Sequence, residues 1–379
     1  MKILSILTYY HPHWTGLTAI AKWIDEGLAA RGHRVTVLTT RHDASFPRER
    51  EEAGVRVIRL TPLGRFSRAM VAPKFVPVAA GLIGRHDVVQ IHTPMLEAAA
   101  IAALCRVRRR PLVMTHQGDL VMPGGFTNQV VQKSGDALLG AAAGLATTIT
   151  TNSPDYARHS VFLRRHASKV VPIYPPVQLA EADAEESAAW RRELRLEGKP
   201  LIGFAGRFVE EKGFDTLLRG LPLIKESLPD AHLVYAGEHR VVYERFFERC
   251  RPLVESAGDD LTVLGLVRDR KRLAAFYAMC DVFALPSRSD CFAAVQVEAM
   301  LSGTPVVAAD IPGAREAVSL TGMGQLVAPG DERALASGIV DVLRDPAKVA
   351  KARSEIRAIF DPERSIDEYE AVFAELAAR

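Results

Sequence analysis

Four residues in the second half of the chain have the types and spacing of a site for an anionic ligand that carries hydroxyl groups. Asp290 and Glu298 are separated by seven residues in DCFAAVQVE, and Arg207 and Lys212 stand upstream in GRFVEEKG. An Arg fork and a Lys point charge commonly hold phosphate oxygens, and a carboxylate can accept hydrogen bonds from ribose hydroxyls. The four side chains therefore predict a site shaped for a nucleotide-sugar.

The elements around these residues must bring them to one edge of a sheet. The apolar run DVFALPS ends just before Asp290, and the run LIGFAG ends at Gly206, where the missing side chain lets the backbone turn sharply. Because α/β proteins bind ligands at the carboxyl ends of parallel strands, we expect the two loops to converge there. Glu298 would lie one to two turns into the helix that follows.

The start of that helix is a second predicted feature of the site. A helix that begins near Cys291–Ala293 would direct the free backbone N–H groups of Ala294 and Val295 at an anion. The alternative is that Asp290 only caps this helix and that RFVEEK is a solvated charged loop. Glu298 lies in the apolar stretch AVQVEAML, so a solvated helix face fits it poorly.

Short apolar runs alternate with helical patterns along the whole chain, which predicts parallel sheets with crossover helices. Six such runs lie in each half: KILSILT, RVTVLTT, VRVIRL, DVVQIH, PLVMTH and ATTITTN, then PLIGFAG, AHLVYAG, LTVLGLV, DVFALPS, TPVVAAD and GQLVAPG. The expected fold class is α/β, with two Rossmann-like parallel-sheet domains of about six strands each facing a central cleft. A Pro-Pro pair predicts the interdomain linker near Tyr174–Gln178.

Composition places the chain among soluble globular proteins. Apolar residues make up 48% and charged residues 25% of the 379 residues, and a net charge of +3 is too small to argue for a nucleic-acid partner. The four cysteines form no C-x-x-C pair, so neither a zinc site nor a disulfide framework is expected. The start MKILSILT predicts a buried strand rather than a signal peptide, and no apolar run reaches the roughly 18 residues of a spanning helix. A cytoplasmic protein is expected, with peripheral binding at the inner face of a membrane as an open alternative.

Three segments resemble the C-terminal domain of a family 4 retaining glycosyltransferase with the GT-B fold: GRFVEEKG, LGLVRDRKRLAAFYAMCDVFALPSRSD and EAMLSGTPVVAADIPGAREAV. The resemblance implies that Arg207 and Lys212 bind the donor diphosphate. It implies that Glu298, the second acid of the family's E-x(7)-E motif, holds the nucleotide ribose. Asp290 stands in the place of the first acid, which contacts the transferred sugar.

The same resemblance assigns the remaining donor contacts and shows two departures from the family. Backbone atoms near Val267 and Arg268 are expected to contact the base. The family's E-G-F-G is here Asp290-Cys291-Phe292-Ala293, so the first acid is one methylene shorter and both glycines are absent. Phe292 and Ala293 remain expected donor-binding residues, because the diphosphate contacts use backbone donors.

In the first half, two residues match the family's acceptor domain. Gly16, after Thr15 in HPHWTGLT, stands where the family has two glycines that let the backbone approach the donor; a simple tight turn is an equally good interpretation. His116, in THQGD, is expected just past a buried strand and pointing into the cleft. A lone His is more often packed or solvated, but the resemblance implies that His116 binds a donor-sugar hydroxyl and stabilises a cationic transition state.

The resemblance also implies domains and a reaction. Residues 1–175 are expected to form the acceptor domain, residues 176–355 the nucleotide-sugar donor domain, and residues 356–379 a helix that packs back on the first domain. The expected reaction moves a sugar from a nucleoside-diphosphate sugar to a hydroxyl of a glycan or lipid-linked acceptor, with retention, in glycolipid, lipopolysaccharide or exopolysaccharide synthesis. No D-x-D follows a strand, so neither a metal nor a cofactor is expected.

Two basic segments raise the question of a membrane surface. The loop LGRFSRAMVAPKF interleaves cationic and apolar side chains and could contact anionic headgroups, although a packed loop with exposed basic tips fits as well; its residues are Arg65, Phe66, Arg68, Met70, Lys74 and Phe75. The arginines of CRVRRRP are expected to be a solvated helix end; they are Arg106, Arg108, Arg109 and Arg110.

Three other functions compete with sugar transfer. A nucleotide-sugar 2-epimerase would share the fold and the donor chemistry. A non-catalytic sugar-nucleotide-binding protein would fit if the altered Asp290 loop reflects lost activity. A NAD-dependent oxidoreductase would need G-x-G-x-x-G after the first strand, which YYHPHWTGLT lacks.

Overall fold

The computed structural model describes residues 1–66, 69–119, 126–241 and 244–379, and these residues form two units. The first unit comprises Met1–Pro176 and Pro362–Arg379, and the second comprises Val177–Asp361. Each unit is built around one largely parallel sheet whose strands are buried apolar runs. Such runs are typical of parallel strands because helices cover both faces of the sheet.

The strands of the first unit form from runs such as VTVLTT, in which every side chain is buried and the β-branched residues favour an extended backbone. They are β1 (Lys2–Ile6), β2 (Arg34–Thr40), β3 (Glu49–Glu52), β4 (Val55–Leu60), β5 (Gly64–Phe66), β6 (Ala69–Val71), β7 (Val88–Thr93), β8 (Leu112–His116), β9 (Thr148–Thr151) and β10 (Val170–Pro172). Within the described residues the sheet has the order β10-β9-β8-β7-β1-β2-β4-β3, and β3 is antiparallel to β4. Strands β5 and β6 form a separate hairpin.

Helices connect these parallel strands. They are α1 (Gly16–Ala30), α2 (Phe75–Ile83), α3 (Ala98–Val107), α4 (Phe126–Leu145), α5 (Pro154–His159) and α6 (Val161–Arg164), with a 3-10 turn at Ala167–Lys169. The chain proceeds outward from β1 through β2 and β4, and in the opposite direction from β7 through β8 and β9. The strand order therefore reverses between β1 and β7, which is where open α/β sheets leave a crevice for ligands.

The second unit repeats this plan with a fully parallel sheet. Its strands are β11 (Leu201–Ala205), β12 (His232–Ala236), β13 (Leu261–Gly265), β14 (Val282–Leu285), β15 (Val306–Ala309) and β16 (Gly324–Val327). They pair in the order β13-β12-β11-β14-β15-β16. The order reverses between β11 and β14, so the loops after these two strands flank the crevice.

The helices of the second unit cover both faces of its sheet. They are α7 (Ala184–Glu193), α8 (Phe214–Ser227), α9 (Phe246–Arg249), α10 (Arg251–Ala257), α11 (Arg270–Met279), α12 (Ala294–Leu301), α13 (Arg315–Thr321), α14 (Glu332–Arg344) and α15 (Arg353–Ile359), with 3-10 turns at Glu210–Lys212, Gly258–Asp260 and Pro346–Lys348. Leu217, Leu221 and Ile339 belong to the buried core that joins α8 and α14 to the sheet.

The last helix, α16 (Pro362–Ala377), belongs to the first unit and packs on α1. It buries Ile366 and Phe373, and Gly27 of α1 lies against Ile366 so closely that a Cβ on Gly27 would be 2.7 Å from Ile366 Cδ1. Arg31, at the end of α1, pairs with three acidic side chains of α16: Glu363 at 3.1 Å, Asp367 at 2.6 Å and Glu370 at 2.9 Å. Residues 356–359 of the predicted tail lie in α15 instead.

The first sheet differs from the prediction of about six strands. Its two additional edge strands, β3 and β10, read EREE and VVP, and neither run carries a buried apolar pattern. Edge strands expose their side chains and tolerate charge and proline, so hydrophobic periodicity does not reveal them. Within the parts of the chain that are described, no helix combines the length and the apolar character needed to cross a membrane.

Candidate active site

The loops after β11 and β14 touch at the crevice of the second sheet. Gly206 (φ 154°) and Gly213 (φ 68°) both adopt backbone conformations that glycine accepts far more readily than other residues. A Cβ on Gly213 would overlap the carbonyl oxygen of Pro286 in the loop after β14. The glycines of GRFVEEKG therefore bring the cationic loop directly against the loop that carries Asp290.

The two predicted cations are paired with carboxylates at this crevice. Lys212 Nζ lies 2.6 Å from Asp290 Oδ2, and Arg207 contacts Glu211 at 3.4 Å. Burial alone would lower the pKa of Lys212, but the carboxylates of Asp290 and Glu211 outweigh it and raise the pKa. Lys212 therefore keeps its charge at neutral pH, and Asp290 is an ion-pair partner rather than a helix cap.

A second ion pair, which the sequence did not reveal, joins the same two loops. Arg288, between β14 and Asp290, donates to both carboxylate oxygens of Asp215 in α8, at 2.8 and 2.7 Å. The Arg288 side chain also donates to the carbonyl of Glu210 (2.6 Å), and its backbone N–H donates to that of Glu211 (2.7 Å). Bidentate Arg–carboxylate contacts fix geometry strongly, so Arg288 holds the loops after β11 and β14 in register.

Helix α12 begins at Ala294, slightly later than the predicted Cys291–Ala293. Its N-cap is Ala293, whose methyl group cannot accept a hydrogen bond from the first turn. Phe292 is buried against Phe360, with ring centroids 5.6 Å apart. Because the N-cap side chain accepts no hydrogen bond from the first turn, the backbone N–H groups of Ala294 and Val295 can donate to an anion.

Glu298 is in the second turn of α12, with its side chain only 6% exposed. Tyr277 donates to Glu298 Oε2 at 2.8 Å, and Arg270 donates to Oε1 at 3.1 Å. Burial and the Glu298 carboxylate raise the pKa of Tyr277 well above its usual value, so its hydroxyl remains a donor. The surface-residue alternative for Glu298 is wrong: this carboxylate is buried and oriented from both sides.

The predicted base-contacting residues, Val267 and Arg268, come just before Arg270 along the chain. Val267 is half-buried and Arg268 is exposed in the loop from β13 to α11, and Arg270 is the first residue of α11. Arg270 reaches both Glu298 and the carbonyl of Gln178. Arg270 and Tyr277 were missed because nothing in their local sequence points to Glu298; the pairing exists only in the fold.

In the first unit, Gly16 is the first residue of α1 rather than part of a tight turn. Thr15 is the N-cap, and Thr15 and Thr18 form a capping box. A Cβ on Gly16 would meet no atom within 4 Å among the described residues. Packing among the described residues therefore gives no steric reason for a glycine here, and the role of Gly16 in approach to the donor stays a prediction.

His116, predicted just past a buried strand and pointing into the cleft, is the last residue of β8. The imidazole is 1% exposed. Its Nε2 donates to Asp119 Oδ1 at 2.9 Å, its Nδ1 lies 3.3 Å from Thr93 Oγ1, and its ring stacks on Phe162 at 4.7 Å. The packing of β8 between two buried strands encloses this residue at the strand end.

The basic loop of the first unit is only partly as predicted. Met70 and Phe75 are buried core residues, whereas Lys74 is exposed. Arg65 and Phe66 lie in β5, and Arg68 lies outside the described residues. Leu63 (82% exposed) and Val71, at the base of the hairpin, are exposed apolar residues of this loop. Arg106, Arg108 and Arg109 are exposed at the end of α3, as predicted, and Arg110 donates to the carbonyl of Gly84.

Known proteins resemble both units. A family model described as glycosyl transferase 4-like domain matches residues 15–176, and one described as glycosyl transferases group 1 matches residues 186–358. A phosphatidyl-myo-inositol mannosyltransferase of Mycobacterium leprae is 30% identical over 356 residues, covering 91% of this chain and 88% of the relative.

Solved structures share the architecture at lower identity. Sucrose-phosphate synthase from Thermosynechococcus elongatus has a TM-score of 0.79 at 21% identity and covers 100% of both chains. Anabaena HepE, solved in complex with UDP and glucose, has a TM-score of 0.78 at 22% identity and covers 99% of this chain and 100% of its own. At these identities the likeness establishes the fold.

Proposed function

Because the chain belongs to the family 4 glycosyltransferases, enzymes of the GT-B type, we propose that it transfers a sugar from a nucleoside diphosphate to an acceptor hydroxyl with retention of configuration. The observation that carries this proposal is the set of groups at the crevice of the second sheet. Two cations, Arg207 and Lys212, and the start of α12 supply the positive charge that a diphosphate needs. The buried carboxylate of Glu298 supplies the acceptor that ribose hydroxyls need.

The donor would exchange with contacts that already exist in the protein. Lys212 is bound to Asp290 and Arg207 to Glu211, so phosphate oxygens would compete with these carboxylates for the two cations. Asp290 would then turn its oxygens to hydroxyls of the transferred sugar. Arg270 and Tyr277 would hold Glu298 in place while its remaining lone pairs accept from the ribose. HepE, a neighbour in fold, was solved with UDP and glucose, which supports a donor of this class.

In the proposed reaction, the bond between the anomeric carbon and the phosphate oxygen breaks as the acceptor oxygen bonds to the same face of that carbon. The electron pair of the broken bond stays on the departing nucleoside diphosphate, and the acceptor proton passes to its phosphate oxygen. Arg207, Lys212 and the N–H groups of α12 would stabilise the charge where it develops. With these groups in place, the proposal needs no metal and no cofactor.

The proposed acceptor is lipid-linked. The M. leprae relative carries phosphatidyl-myo-inositol in its name, and Leu63, Val71 and Lys74 give the loop around β5 and β6 an exposed apolar and cationic surface. Such a surface suits peripheral binding to an anionic bilayer, which would place the protein at the inner face of the membrane.

A panel of nucleotide-sugars tests the donor. The true donor is expected to raise Tm, because a ligand that binds only the folded state stabilises it. Incubation of that donor with lipid extracts, followed by NMR of the product anomer, should show a new glycoside of unchanged configuration. An epimerised donor without any glycoside would favour the epimerase, and Tm shifts without any turnover would favour a binding protein.

A further inference from the structure

His116, the residue expected to contact substrate in the first unit, presents almost no surface to a ligand. Its imidazole is 1% exposed, and both ring nitrogens lie near protein groups, Nε2 at Asp119 and Nδ1 at Thr93. One face of the ring is covered by Phe162. A side chain with both nitrogens near protein partners is placed to orient a neighbour rather than to bind a sugar.

That neighbour, Asp119, has the opposite character. Its side chain is 33% exposed, although three protein groups hold it in place. His116 Nε2 donates to Oδ1, and Ser160 Oγ lies 2.9 Å from Oδ1 and 3.0 Å from Oδ2. The hydroxyl of Tyr156 accepts from the Asp119 backbone N–H at 2.7 Å. The carboxylate is therefore both fixed and accessible.

The acceptor capacity of this carboxylate is not exhausted. An ionised carboxylate has about four lone-pair sites, and among the described residues the imidazole of His116 and the hydroxyls of Ser160 and Tyr156 account for three donors. Burial alone would raise the pKa of Asp119, but the hydrogen bonds from these groups outweigh it and lower the pKa. Asp119 is therefore ionised at neutral pH and can accept a further hydrogen bond.

The position of Asp119 fits a substrate contact. It lies three residues beyond the end of β8, at the carboxyl edge of the first sheet, and β8 neighbours β7, one of the two strands at which the strand order reverses. Gln117, between His116 and Asp119, reaches back to His92 of β7 at 3.0 Å. This loop is therefore anchored to the strand that flanks the crevice of the first unit.

We propose that Asp119 binds a hydroxyl of the acceptor, and that His116 and Ser160 act as positioning residues for its carboxylate. This assignment rests on the proposed sugar transfer and names the acceptor chemistry at one point: a polyol or sugar that donates a hydrogen bond to a fixed carboxylate. Apart from Gly16, the donor contacts of the proposed function belong to the second unit, and the family resemblance assigns the acceptor to the first.

Binding of soluble polyols tests the assignment without any need for turnover. Saturation-transfer NMR with myo-inositol and methyl α-mannopyranoside, in the presence of the nucleotide, should give signals with the wild type. We expect Asp119→Asn, which keeps the shape and removes the charge, to lose these signals. Tm should be unchanged, and the Kd of the nucleotide should stay within about twofold of the wild-type value. Asp87→Asn is the matched control, since Asp87 precedes β7 at the opposite edge of the same sheet and accepts from the Lys2 backbone N–H.

Variants at His116 separate the two roles. His116→Gln can still donate an amide N–H toward Asp119, so we expect it to retain polyol binding and more activity than Asp119→Asn.

In transfer assays, Asp119→Asn should raise the acceptor KM at least tenfold without changing the donor KM. Loss of polyol binding in His116→Gln but not in Asp119→Asn would overturn the assignment, as would the absence of polyol signals in the wild type. If the protein binds polyols only when Asp119 is present but has no transfer activity, the proposed reaction is wrong and the Asp119 binding site is still supported.

Discussion

At the residue scale, the proposed donor site consists of charged side chains that pair with groups of the protein itself. Lys212 and Asp290 lie 2.6 Å apart, and Glu298 is held by Tyr277 and Arg270. Glu298 therefore keeps a fixed position, whereas Lys212 and Asp290 would exchange their mutual contact for contacts with the proposed donor. Motif spacing predicted that Lys212 and Asp290 converge, and they do; that they and Glu298 bind a donor stays a prediction. Arg270 and Tyr277 could not be predicted, because they reach Glu298 only through the packing of α11 on α12.

Lys212→Ala tests the charge that we propose faces the diphosphate. We expect kcat to fall by about 10²–10³, the usual cost of removing one preorganised electrostatic contact to the transition state, while the fold persists. The control is Lys225→Ala, because Lys225 pairs with Asp260 on the surface of the same unit, away from the crevice. Steady-state kinetics with the identified donor give the answer; near-normal turnover in Lys212→Ala would remove this residue from the site.

Two variants of Glu298 separate binding from stability. Glu298→Gln keeps an oxygen for the Tyr277 hydroxyl, so we expect a higher donor KM with little change in Tm. Glu298→Ala leaves the buried Tyr277 hydroxyl without this acceptor and removes one of the acceptors of Arg270, which should cost about 1–3 kcal/mol in the free energy of unfolding. Urea denaturation of both variants, beside donor titrations, measures the difference. Equal stability losses in the two variants would contradict this division of roles.

At the element scale, the site depends on the register of two loops that are far apart in sequence. Arg288 and Asp215 join the loop after β14 to the start of α8, and Gly213 packs on Pro286. The parallel strands themselves followed from apolar runs, and the helix start near Ala294 was predicted to within a few residues. Arg288 and Asp215 were not predicted, since a charged pair with 72 residues between its members has no local signature.

Acidification tests the Arg288–Asp215 pair. Burial alone would raise the pKa of Asp215, but its bonds to Arg288 and Arg219 outweigh it and lower the pKa. A carboxyl whose folded-state pKa is depressed contributes stability above its unfolded pKa, near 3.9, and loses it as pH falls through the folded value. The stability difference between the wild type and Asp215→Asn should therefore be largest at neutral pH and shrink below about pH 4. Urea midpoints from pH 7 to pH 3 measure it, and a constant difference would contradict the pairing.

At the scale of the whole molecule, composition and periodicity predicted two Rossmann-like parallel-sheet units, and both the fold class and the family are confirmed. Edge strands β3 and β10 escaped prediction because their exposed residues need no apolar pattern. The burial of His116 was not predicted either, because a motif gives the identity of a residue but not the packing of Phe162 and Thr93 around it. The helix α16 can pack closely on α1 because Gly27 has no side chain at the contact. This requirement could not be predicted from the sequence, because it depends on how closely Ile366 approaches Gly27 in the fold.

Gly27→Val tests the contact between α1 and α16. A Cβ at this position already falls 2.7 Å from Ile366 Cδ1, so the branched side chain should force the helices apart and cost about 1–3 kcal/mol, the usual penalty of overpacking. Ile366→Ala in the same chain removes the obstructing atoms, and we expect the double variant to recover part of the loss. Thermal unfolding followed by circular dichroism compares the three proteins. A Gly27→Val variant as stable as the wild type would show that the helices do not meet as described.

The placement of α16 has a consequence for the order in which the protein acquires its structure during synthesis. The second unit is one continuous stretch, Val177–Asp361, whereas the first needs Pro362–Arg379 to cover α1. A ribosome delivers residues from the amino terminus onward, so the contacts between α1 and α16 can form only after the whole second unit and then Pro362–Arg379 have been synthesised.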